Sequence, residues 1–515
     1  MHLNPSLVLK ISLFATGCAG IVAEFVLSTL ATYLMGNAIF QWTIVMSLML
    51  FAMGVGSRLS RFIHRDLLDY FIITEFVLSV LCAVSAVAIY ALMAFTAYYD
   101  LLLYATAFVI GSLIGLEIPL VTRMNEEYED LRINISAVME KDYFGALLGG
   151  ILFAFFALPH IGLTYTPLIL GSVNFAVASL VLWRFFALIK MKKTLLTGFG
   201  CVLFALTAFC MMAEPVITYG EQSKYQDKII YSRQTPYQKI VITRWKSYYW
   251  LYLNGQEQFS TFDEEKYHEP LVHPVMNLTL NTENILILGG GDGLALREVI
   301  KYDTVKSVTL VDLDPAMTRL AETHPILIHI NQDAFSDPRV TVINADASKF
   351  LADDEDLYGV IIVDLPDPDS IDLMHLYSQN FYSTIRKHLI KGGIMVTQAT
   401  SPIFSGQAFR CILKTMHAAG LTTLPYHNPI PTMGEWGWII GCHQDDTGEN
   451  DLKERMMRAD YLKVATRFLN KDAVISMLHF GKGVMDPGQM ADVKINTQIN
   501  PILYRYYLKG KWDVY

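Results

Sequence analysis

The chain has 515 residues, of which 53% are hydrophobic and 17% charged, and its formal net charge is −9. This length exceeds that of one ordinary domain, and the negative charge argues against nucleic-acid binding. The six cysteines show neither metal-ligand spacing nor a disulfide pattern, so the sequence predicts no metal site. The averages hide a division, because residues 1–213 are mostly apolar and the remainder has the composition of a soluble protein.

The apolar half predicts a bundle of membrane-spanning helices. A bilayer core requires about 20 apolar residues per helix. Seven stretches approach this length: 7–34, 40–55, 70–95, 101–121, 137–158, 165–189 and 195–212. Lys and Arg follow the second, fourth and sixth stretches and are missing from the loops between. The positive-inside rule therefore predicts a multi-pass protein of the cell membrane with a cytoplasmic N-terminus and residues after 212 outside.

Four ionisable residues lie inside or at the edge of the predicted spans: Glu24, Glu117, Lys141 and Asp142. Ionisable groups in a membrane are costly and are candidates for a functional site. The structural explanation is internal pairing, for instance of Lys141 with Glu24 or Glu117. The sequence leaves both interpretations open.

A small β unit is predicted next. Residues 239–243 and 248–253 are rich in β-branched and aromatic residues, and Asn254-Gly255 is typical of a hairpin turn. The sequence thus predicts four parts: transmembrane helices over 1–213, a small antiparallel β domain over 214–275, an α/β domain over 276–445 and a helical extension over 446–515.

The segment 285–314 predicts the architecture of the α/β domain. An apolar run is followed by glycines 289–293, interrupted by Asp292, then by a helical pattern and a second apolar run that ends in Asp312. This order is typical of a Rossmann-like fold with a ligand at the glycine turn. Asp312 suits two ribose hydroxyls, because a carboxylate accepts two hydrogen bonds. Asp292 would repel phosphate, which favours a nucleoside with a positive group, such as a sulfonium, over NAD.

Four acidic residues recur where predicted strands end, at Asp292, Asp312, Asp346 and Asp364. Such positions hold the ligands of open α/β sheets, and helix N-capping explains only one or two of them. Asp364 and Asp367 would form a negative cleft that attracts cations and raises the pKa of at least one carboxylate. This favours a general base acting on an ammonium group.

These motifs, taken together, resemble those of the polyamine aminopropyltransferases, the spermidine synthases, over about 231–441. The apolar half resembles the membrane-spanning version of that family. The motifs are Tyr267-His268-Glu269, Gly289-Gly290-Gly291-Asp292-Gly293, Asp312-Leu313-Asp314, Asp346-Ala347, Asp364-x-x-Asp367-Pro368, Leu376-Tyr377-Ser378 and Phe381-Tyr382.

The resemblance implies transfer of an aminopropyl group from decarboxylated S-adenosylmethionine, a co-substrate, to putrescine, with no metal and no further cofactor. It also implies a homodimer in contact with membrane lipid. Asp364 would be the catalytic base. The implied nucleoside contacts are Gln238, Gln258, Gly289, Asp292, Asp312, Asp346 and Ala347. The implied amine contacts are Tyr267, His268, Asp292 and Asp367, with Glu435 in partial compensation for Met433, where the family has a tyrosine.

Two other functions remain open at this stage. An S-adenosylmethionine-dependent methyltransferase would share the glycine turn, but Tyr267-His268 and the Asp364–Asp367 pair argue against it. A membrane polyamine sensor or transporter is kept open by Glu24 and Glu117. It is also kept open by the outward orientation, which would separate the α/β domain from a cytosolic nucleoside.

Overall fold

The computed structural model describes residues 4–35, 38–93, 95–96, 98–444, 446, 448–461 and 463–512. The chain divides into two compact units, Met1–Ile230 and Tyr231–Tyr515. The first unit consists of helices α1 (Pro5–Met35), α2 (Ala38–Leu59), α3 (Leu67–Met93), α4 (Tyr99–Asn125), α5 (Leu131–Leu152), α6 (Gly162–Arg184) and α7 (Lys192–Gln222). Helix α7 runs on through the predicted boundary at residue 213.

Six continuous apolar helical segments in the described part of the chain are long enough to cross a membrane. Five correspond to single predicted stretches. The remaining one, Leu131–Arg184, contains 54 residues and joins two predicted stretches, because the π-helical segment Phe153–Ile161 connects α5 to α6. A straight helix of this length would extend about 80 Å, but Pro159 and Gly162, whose φ is +74°, interrupt it.

Two apolar clusters, one near each end of the helical unit, establish the direction of each helix. The N-terminal cluster includes Leu9 on α1, Ile72 on α3, Leu120 on α4, Val138 on α5, Val181 on α6 and Leu195 on α7. The distal cluster includes Leu27 on α1, Met49 on α2, Ile89 on α3, Leu103 on α4, Phe153 after α5, Leu163 on α6 and Ile217 on α7. Helix α5 therefore runs toward the distal cluster and α6 runs back.

The second unit begins with a four-stranded sheet, as the hairpin pattern predicts. Its strands, in spatial order, are β1 (Lys228–Gln234), β2 (Lys239–Trp245), β3 (Tyr248–Leu253) and β4 (Gln256–Ser260). Strands β2, β3 and β4 pair antiparallel. The turn between β3 and β4 consists of Asn254 and Gly255, which both have positive φ, as a tight hairpin turn requires.

A seven-stranded mixed sheet forms the centre of the second unit. Its strands are β5 (Asn284–Gly289), β6 (Ser307–Asp312), β7 (Val340–Asn344), β8 (Tyr358–Asp364), β9 (Leu389–Gln398), β10 (Leu421–Ile430) and β11 (Gly434–His443). The spatial order is β10-β11-β9-β8-β5-β6-β7. Strands β9, β8, β5, β6 and β7 are parallel to one another. Strand β11 runs antiparallel to both of its neighbours, β9 and β10. This is the predicted Rossmann-like topology.

Both faces of this sheet are covered, which explains why β5 and β8 are continuously apolar. The covering helices are α8 (Glu265–Leu278), α9 (Leu294–Ile300), α10 (Pro315–Thr323), α11 (Pro325–Asn331), α12 (Ala347–Asp353), α13 (Gln379–His388) and α14 (Gly406–Ala418). The chain then forms four short helices, α15 (Glu449–Arg458), α16 (Lys471–Met477), α17 (Pro487–Ala491) and α18 (Leu503–Leu508). Residues of this last part join the core on both faces.

Candidate active site

The glycine turn brings two neighbouring strand ends into contact. Gly289 lies opposite Asp364 in the β5–β8 register, and its φ is +85°. A Cβ atom at Gly289 would lie 2.1 Å from the Asp364 carbonyl oxygen, so only glycine fits here. The next amide, that of Gly290, donates a hydrogen bond to the same carbonyl at 3.1 Å. The turn thus fixes the backbone from which the Asp364 carboxylate projects.

Asp312 is held at the end of β6 by two backbone amides. Its Oδ2 accepts from the Gly291 amide at 3.1 Å and its Oδ1 from the Asp314 amide at 2.9 Å. Burial raises the pKa of Asp312 to about 6, and the charges of Asp314 and Asp292 act in the same direction. Each oxygen still has a lone pair available, so the carboxylate can accept further hydrogen bonds from a ligand.

Asp364 is held by a tyrosine of helix α8. The Tyr267 hydroxyl donates to Asp364 Oδ1 at 2.7 Å. The Tyr267 ring is buried and packs edge-on against Trp438, with ring centroids 5.5 Å apart. Among the described residues, no hydrogen bond reaches the second oxygen, Oδ2. The carboxylate is therefore oriented by one neutral donor and keeps one oxygen available.

His268 lies beside this pair and is fixed by its own helix. Its Nδ1 lies 2.9 Å from the Glu264 carbonyl oxygen, which assigns the proton to Nδ1. Burial lowers the pKa of His268, and Arg297 acts in the same direction, against the charges of Asp292 and Asp364. The imidazole lies edge-on to the Tyr267 ring, with ring centroids 4.9 Å apart.

Asp367 is held by residues from three separate parts of the chain. Its Oδ2 accepts from the Tyr507 hydroxyl of α18 at 2.9 Å. Its Oδ1 accepts from Gln398 Nε2 at 3.3 Å, at the end of β9. Gln398 Nε2 also donates to the Tyr377 hydroxyl at 2.7 Å, which in turn donates to the Pro366 carbonyl oxygen at 2.7 Å. These bonds fix the loop that carries Asp367.

Both aspartates have a raised affinity for protons. Burial raises the pKa of Asp364 to about 6; Asp292 adds to this, while His268 and the Tyr267 hydrogen bond oppose it. Burial also raises the pKa of Asp367 to about 7, against the hydrogen bond from Tyr507. Carboxylates with such values can exchange a proton near neutral pH.

Asp292 and Asp346 partly act as local structural residues. Asp292 Oδ1 accepts from the Leu294 amide at 2.8 Å, where α9 begins. Asp346 Oδ1 caps α12 by accepting from the Lys349 amide at 2.9 Å, and its Oδ2 lies 3.4 Å from His375 Nε2. Ala347, the first residue of α12, is buried. The N-capping explanation therefore applies to Asp346, whose second oxygen remains directed toward His375.

Three predicted residues make their described contacts elsewhere. Gln238 Nε2 donates to Asp314 Oδ2 at 3.0 Å, next to Asp312. Gln258 lies on β4 and donates to the Gln256 carbonyl oxygen at 3.3 Å. Glu435 on β11 binds His427 Nδ1 through its carboxylate. The structure thus brings Gln238 to the edge of the site and joins neither Gln258 nor Glu435 to Asp364 or Asp367.

Sequence analysis did not identify Tyr507 and Gln398 as site residues. Tyr507 lies 140 positions from Asp367 and outside every recognised motif, so no local signal marked it. Gln398 is the last residue of β9 and was identifiable in principle, since strand ends carried the other candidates. The motif residue Glu269, in contrast, is fully buried and accepts from the backbone amides of Phe468 and Leu469 at 2.9 and 2.7 Å, so it anchors the C-terminal segment.

Comparison with known proteins identifies the family of the chain. The family model of the Spermine/spermidine synthase domain matches residues 264–454. Polyamine aminopropyltransferase 2 of Aquifex aeolicus (strain VF5) is 41% identical over 509 residues, which cover 98% of this chain and 99% of that protein. The polyamine aminopropyltransferase of Oceanobacillus iheyensis (strain DSM 14371) is 38% identical over 502 residues, 96% of each chain. The chain belongs to the polyamine aminopropyltransferase family.

Membership confirms the resemblance predicted from the motifs and makes the chain an aminopropyl-transferring enzyme of polyamine biosynthesis. The relatives match along almost the whole chain, so the apolar half is shared with them. Among solved structures, spermidine synthase from Thermotoga maritima matches 51% of this chain and 87% of its own, with 23% identity and a TM-score of 0.45. The matched family model ends at residue 454, so Tyr507 lies outside it.

The raised pKa of Asp367 predicts how the stability of the folded chain depends on pH. The folded chain binds this proton more tightly than the unfolded chain, whose aspartates have a pKa near 3.8. Stability is therefore lost as the pH rises toward about 7. We expect Asp367→Asn to unfold at a higher temperature than the parent above pH 7, with the difference shrinking as the pH falls toward 4. Thermal melts of the full chain in detergent test this.

The exposed Asp353 provides the matched control, because Asp353→Asn changes the same atoms without burial. Its melting temperature should follow that of the parent chain at every pH. An Asp367→Asn variant that is less stable than the parent throughout this range would contradict the interpretation.

Proposed function

We propose that the chain transfers the aminopropyl group of decarboxylated S-adenosylmethionine to putrescine and releases spermidine and methylthioadenosine. The observation that supports this most directly is the Asp364 carboxylate, held by a neutral Tyr267 hydroxyl at a strand end with one oxygen available. A base that removes a proton from an ammonium group needs this combination of negative charge, fixed orientation and free lone pair. Family membership independently supports the reaction class.

In the proposed reaction, putrescine transfers one ammonium proton to Asp364 Oδ2. The freed nitrogen lone pair attacks the aminopropyl carbon bound to the sulfonium. A C–N bond forms as the C–S bond breaks, and the bonding electrons neutralise the sulfur of methylthioadenosine. The chain would contribute mainly positioning of the two substrates and an acidic environment for their charges.

We assign the nucleoside to the edge formed by β5 and β6. Asp312 would accept the ribose hydroxyls, and the amides that already bind it fix both oxygens. Gly289, which has no side chain, would let the protein backbone approach the nucleoside. Asp292 would face the positively charged aminopropyl end. The adenine contacts would be Asp346 and Ala347, and Gln238 would support Asp312 through Asp314.

We assign the amine to Tyr267, His268, Asp292 and Asp367. The two carboxylates of Asp364 and Asp367 make no ion pair with Lys or Arg among the described residues, so their charge is available to a diamine. The described contacts of Gln258 and Glu435 give no support to their predicted roles, and neither is part of this assignment. The expected homodimer stays a prediction.

Asp364→Asn should abolish most of the activity, because an amide cannot accept the ammonium proton. We expect kcat to fall by about 10²–10⁴-fold, the range typical of a lost general base. The measurement is methylthioadenosine release from putrescine and decarboxylated S-adenosylmethionine by the purified chain.

The control for this experiment is Asp353→Asn, at an exposed position of α12, which should retain parental turnover. If neither putrescine nor any other amine gives release of methylthioadenosine, aminopropyl transfer is refuted. Methyl transfer from S-adenosylmethionine would instead favour the methyltransferase alternative.

Tyr507→Phe should change the binding of the amine more than the rate of the chemical step. The hydroxyl lowers the pKa of Asp367 by donating to its charged form, so its loss raises that pKa further. We expect the acidic limb of kcat/KM for the amine to move to higher pH. The KM for the amine should rise about three- to tenfold, the range of one ordinary net hydrogen bond, because the lost bond acts on Asp367 and not on the amine itself.

Tyr504→Phe is the matched control, since Tyr504 lies on the same helix and its hydroxyl accepts from Arg505. It should leave the pH profile of the amine unchanged. If the Tyr507→Phe chain has a lower melting temperature but keeps the parental pH profile of kcat/KM, Tyr507 contributes only to packing.

We further propose that the helical unit crosses the cell membrane seven times. Helices α5 and α6 run in opposite directions between the two apolar clusters, which supports two crossings within the 54-residue segment. The residues after α7 would then leave the membrane on the side opposite to the N-terminus. The charges at Arg61, Arg123 and Lys193 follow even-numbered crossings, which supports a cytoplasmic N-terminus.

Cysteine labelling tests this topology. His160 lies in the π-helical segment, between the predicted spans 137–158 and 165–189, and is exposed, so His160→Cys, in a chain whose native cysteines are replaced, should react with a membrane-impermeant maleimide from outside intact cells. Arg61→Cys, in the loop after α2, should react only after permeabilisation. Labelling of both from the same side would contradict seven crossings.

A further inference from the structure

The helical unit contains a layer of polar side chains between its two apolar clusters. Each member lies on its helix between a residue of the N-terminal cluster and a residue of the distal cluster. The layer consists of Thr16 on α1, Glu75 on α3, Glu117 on α4, Asp142 on α5 and Asn174 on α6. We call this set the mid-depth layer.

Three acceptor oxygens of this layer are buried without a hydrogen-bond donor. The exposed fractions of Glu75, Glu117 and Asn174 are 0, 2 and 3%. Both carboxylate oxygens of Glu75 and the amide oxygen of Asn174 are buried without a hydrogen-bond partner. Asn174 lines the same narrow crevice as Thr16 and Glu117, so a neutral acceptor and a carboxylate face one space.

Internal pairing, the structural explanation offered by the sequence, fails here. Lys141 forms its ion pair with its neighbour Glu140, at 2.7 Å. Neither Glu75 nor Glu117 makes an ion pair with any described residue, and the two carboxyl groups face each other. Two adjacent buried carboxylates repel each other and are costly to keep in a membrane bundle. Their retention points to a positive partner from outside the chain.

The donors and acceptors of the layer define the chemistry of that partner. The carboxylates and the Asn174 oxygen are all acceptors, and the one hydroxyl beside them, that of Thr16, lies within reach of both the Leu13 carbonyl oxygen and Glu117. A primary ammonium group supplies three N–H donors and one positive charge. Within the described residues no group of three or more His, Cys, Asp and Glu side chains is arranged to hold a metal ion.

We propose that the helical unit binds an aliphatic amine in the mid-depth layer, with Glu75 and Glu117 accepting from its ammonium group and Asn174 supplying the neutral oxygen. The choice of an amine among organic cations rests on the proposed function of the second unit. The site is separate from Asp364 and Asp367, which belong to that second unit. The crevice is narrow, so we expect side-chain rearrangement on binding.

Binding stoichiometry provides the first test. The full chain in detergent should bind two radiolabelled putrescine molecules in equilibrium dialysis. The double variant Glu75→Gln with Glu117→Gln should bind one, with the affinity of the other site reduced at least about tenfold. Asp364→Asn with Asp367→Asn should also bind one, and combining all four changes should remove both. Glu140→Gln, on the exposed side of α5, should retain two.

A second test uses the parental chain and avoids any folding defect of a variant. Dicyclohexylcarbodiimide, an apolar reagent, modifies buried protonated carboxyl groups, and mass spectrometry identifies the modified residues. Putrescine should slow modification of Glu75 and Glu117 at least about threefold, while an equal concentration of sodium chloride should not.

The outcomes separate this inference from the proposed function. One putrescine per parental chain, or two that persist in Glu75→Gln with Glu117→Gln, would overturn the mid-depth site. Protection of Glu75 and Glu117 by sodium and not by putrescine would overturn it in favour of an inorganic cation. Absence of aminopropyl transfer alongside two binding sites would refute the proposed reaction and leave this site standing.

Discussion

The hydrogen bond from Tyr267 to Asp364 is the interaction on which the proposed catalytic edge depends, that is, the end of the sheet that carries Asp364 and Asp367. It joins helix α8 to the end of β8, and the Tyr267 ring is in turn held by Trp438 on β11. A neutral hydroxyl orients the carboxylate without cancelling its charge. The same principle holds for Asp367, whose donors are Tyr507 and Gln398. An arginine at either place would bind more strongly and would leave little attraction for a cationic substrate.

In this unit, Arg297 pairs with acids other than Asp364 and Asp367. Arg297 donates to the carboxylates of Glu264 and Glu298, both at 2.8 Å. Burial alone would raise the pKa of Glu298, but hydrogen bonds from His273 and Lys301 and the charge of Arg297 lower it to about 2. This paired network fixes Glu264, whose carbonyl oxygen positions His268. Glu264 and Glu298 are thus paired with cations, whereas Asp364 and Asp367 make no ion pair with Lys or Arg among the described residues.

The parts of the site that the sequence predicted are those set by local chain geometry. Strand, glycine turn, helix and strand-end acid follow each other within 30 residues, so the position of Asp312 was accessible from order and spacing. The role of Tyr507 was not accessible, because its contact depends on how a segment 140 positions away packs on the sheet. The single helical segment over α5 and α6 was missed for a related reason, since apolar composition does not distinguish a loop from a π-helical join.

The two units place unpaired acids in environments with different physical consequences. At the catalytic edge Asp364 and Asp367 are only partly buried, so water screens part of their charge and the cleft remains accessible to a cation. In the mid-depth layer Glu75 is fully buried and both its oxygens lack partners. The low dielectric constant inside a membrane bundle makes the penalty for an ionised pair higher there. A layer of this kind is stable only if its charge is neutralised by a proton or a bound cation, so the occupancy of the layer and the packing of the helices around it must be coupled.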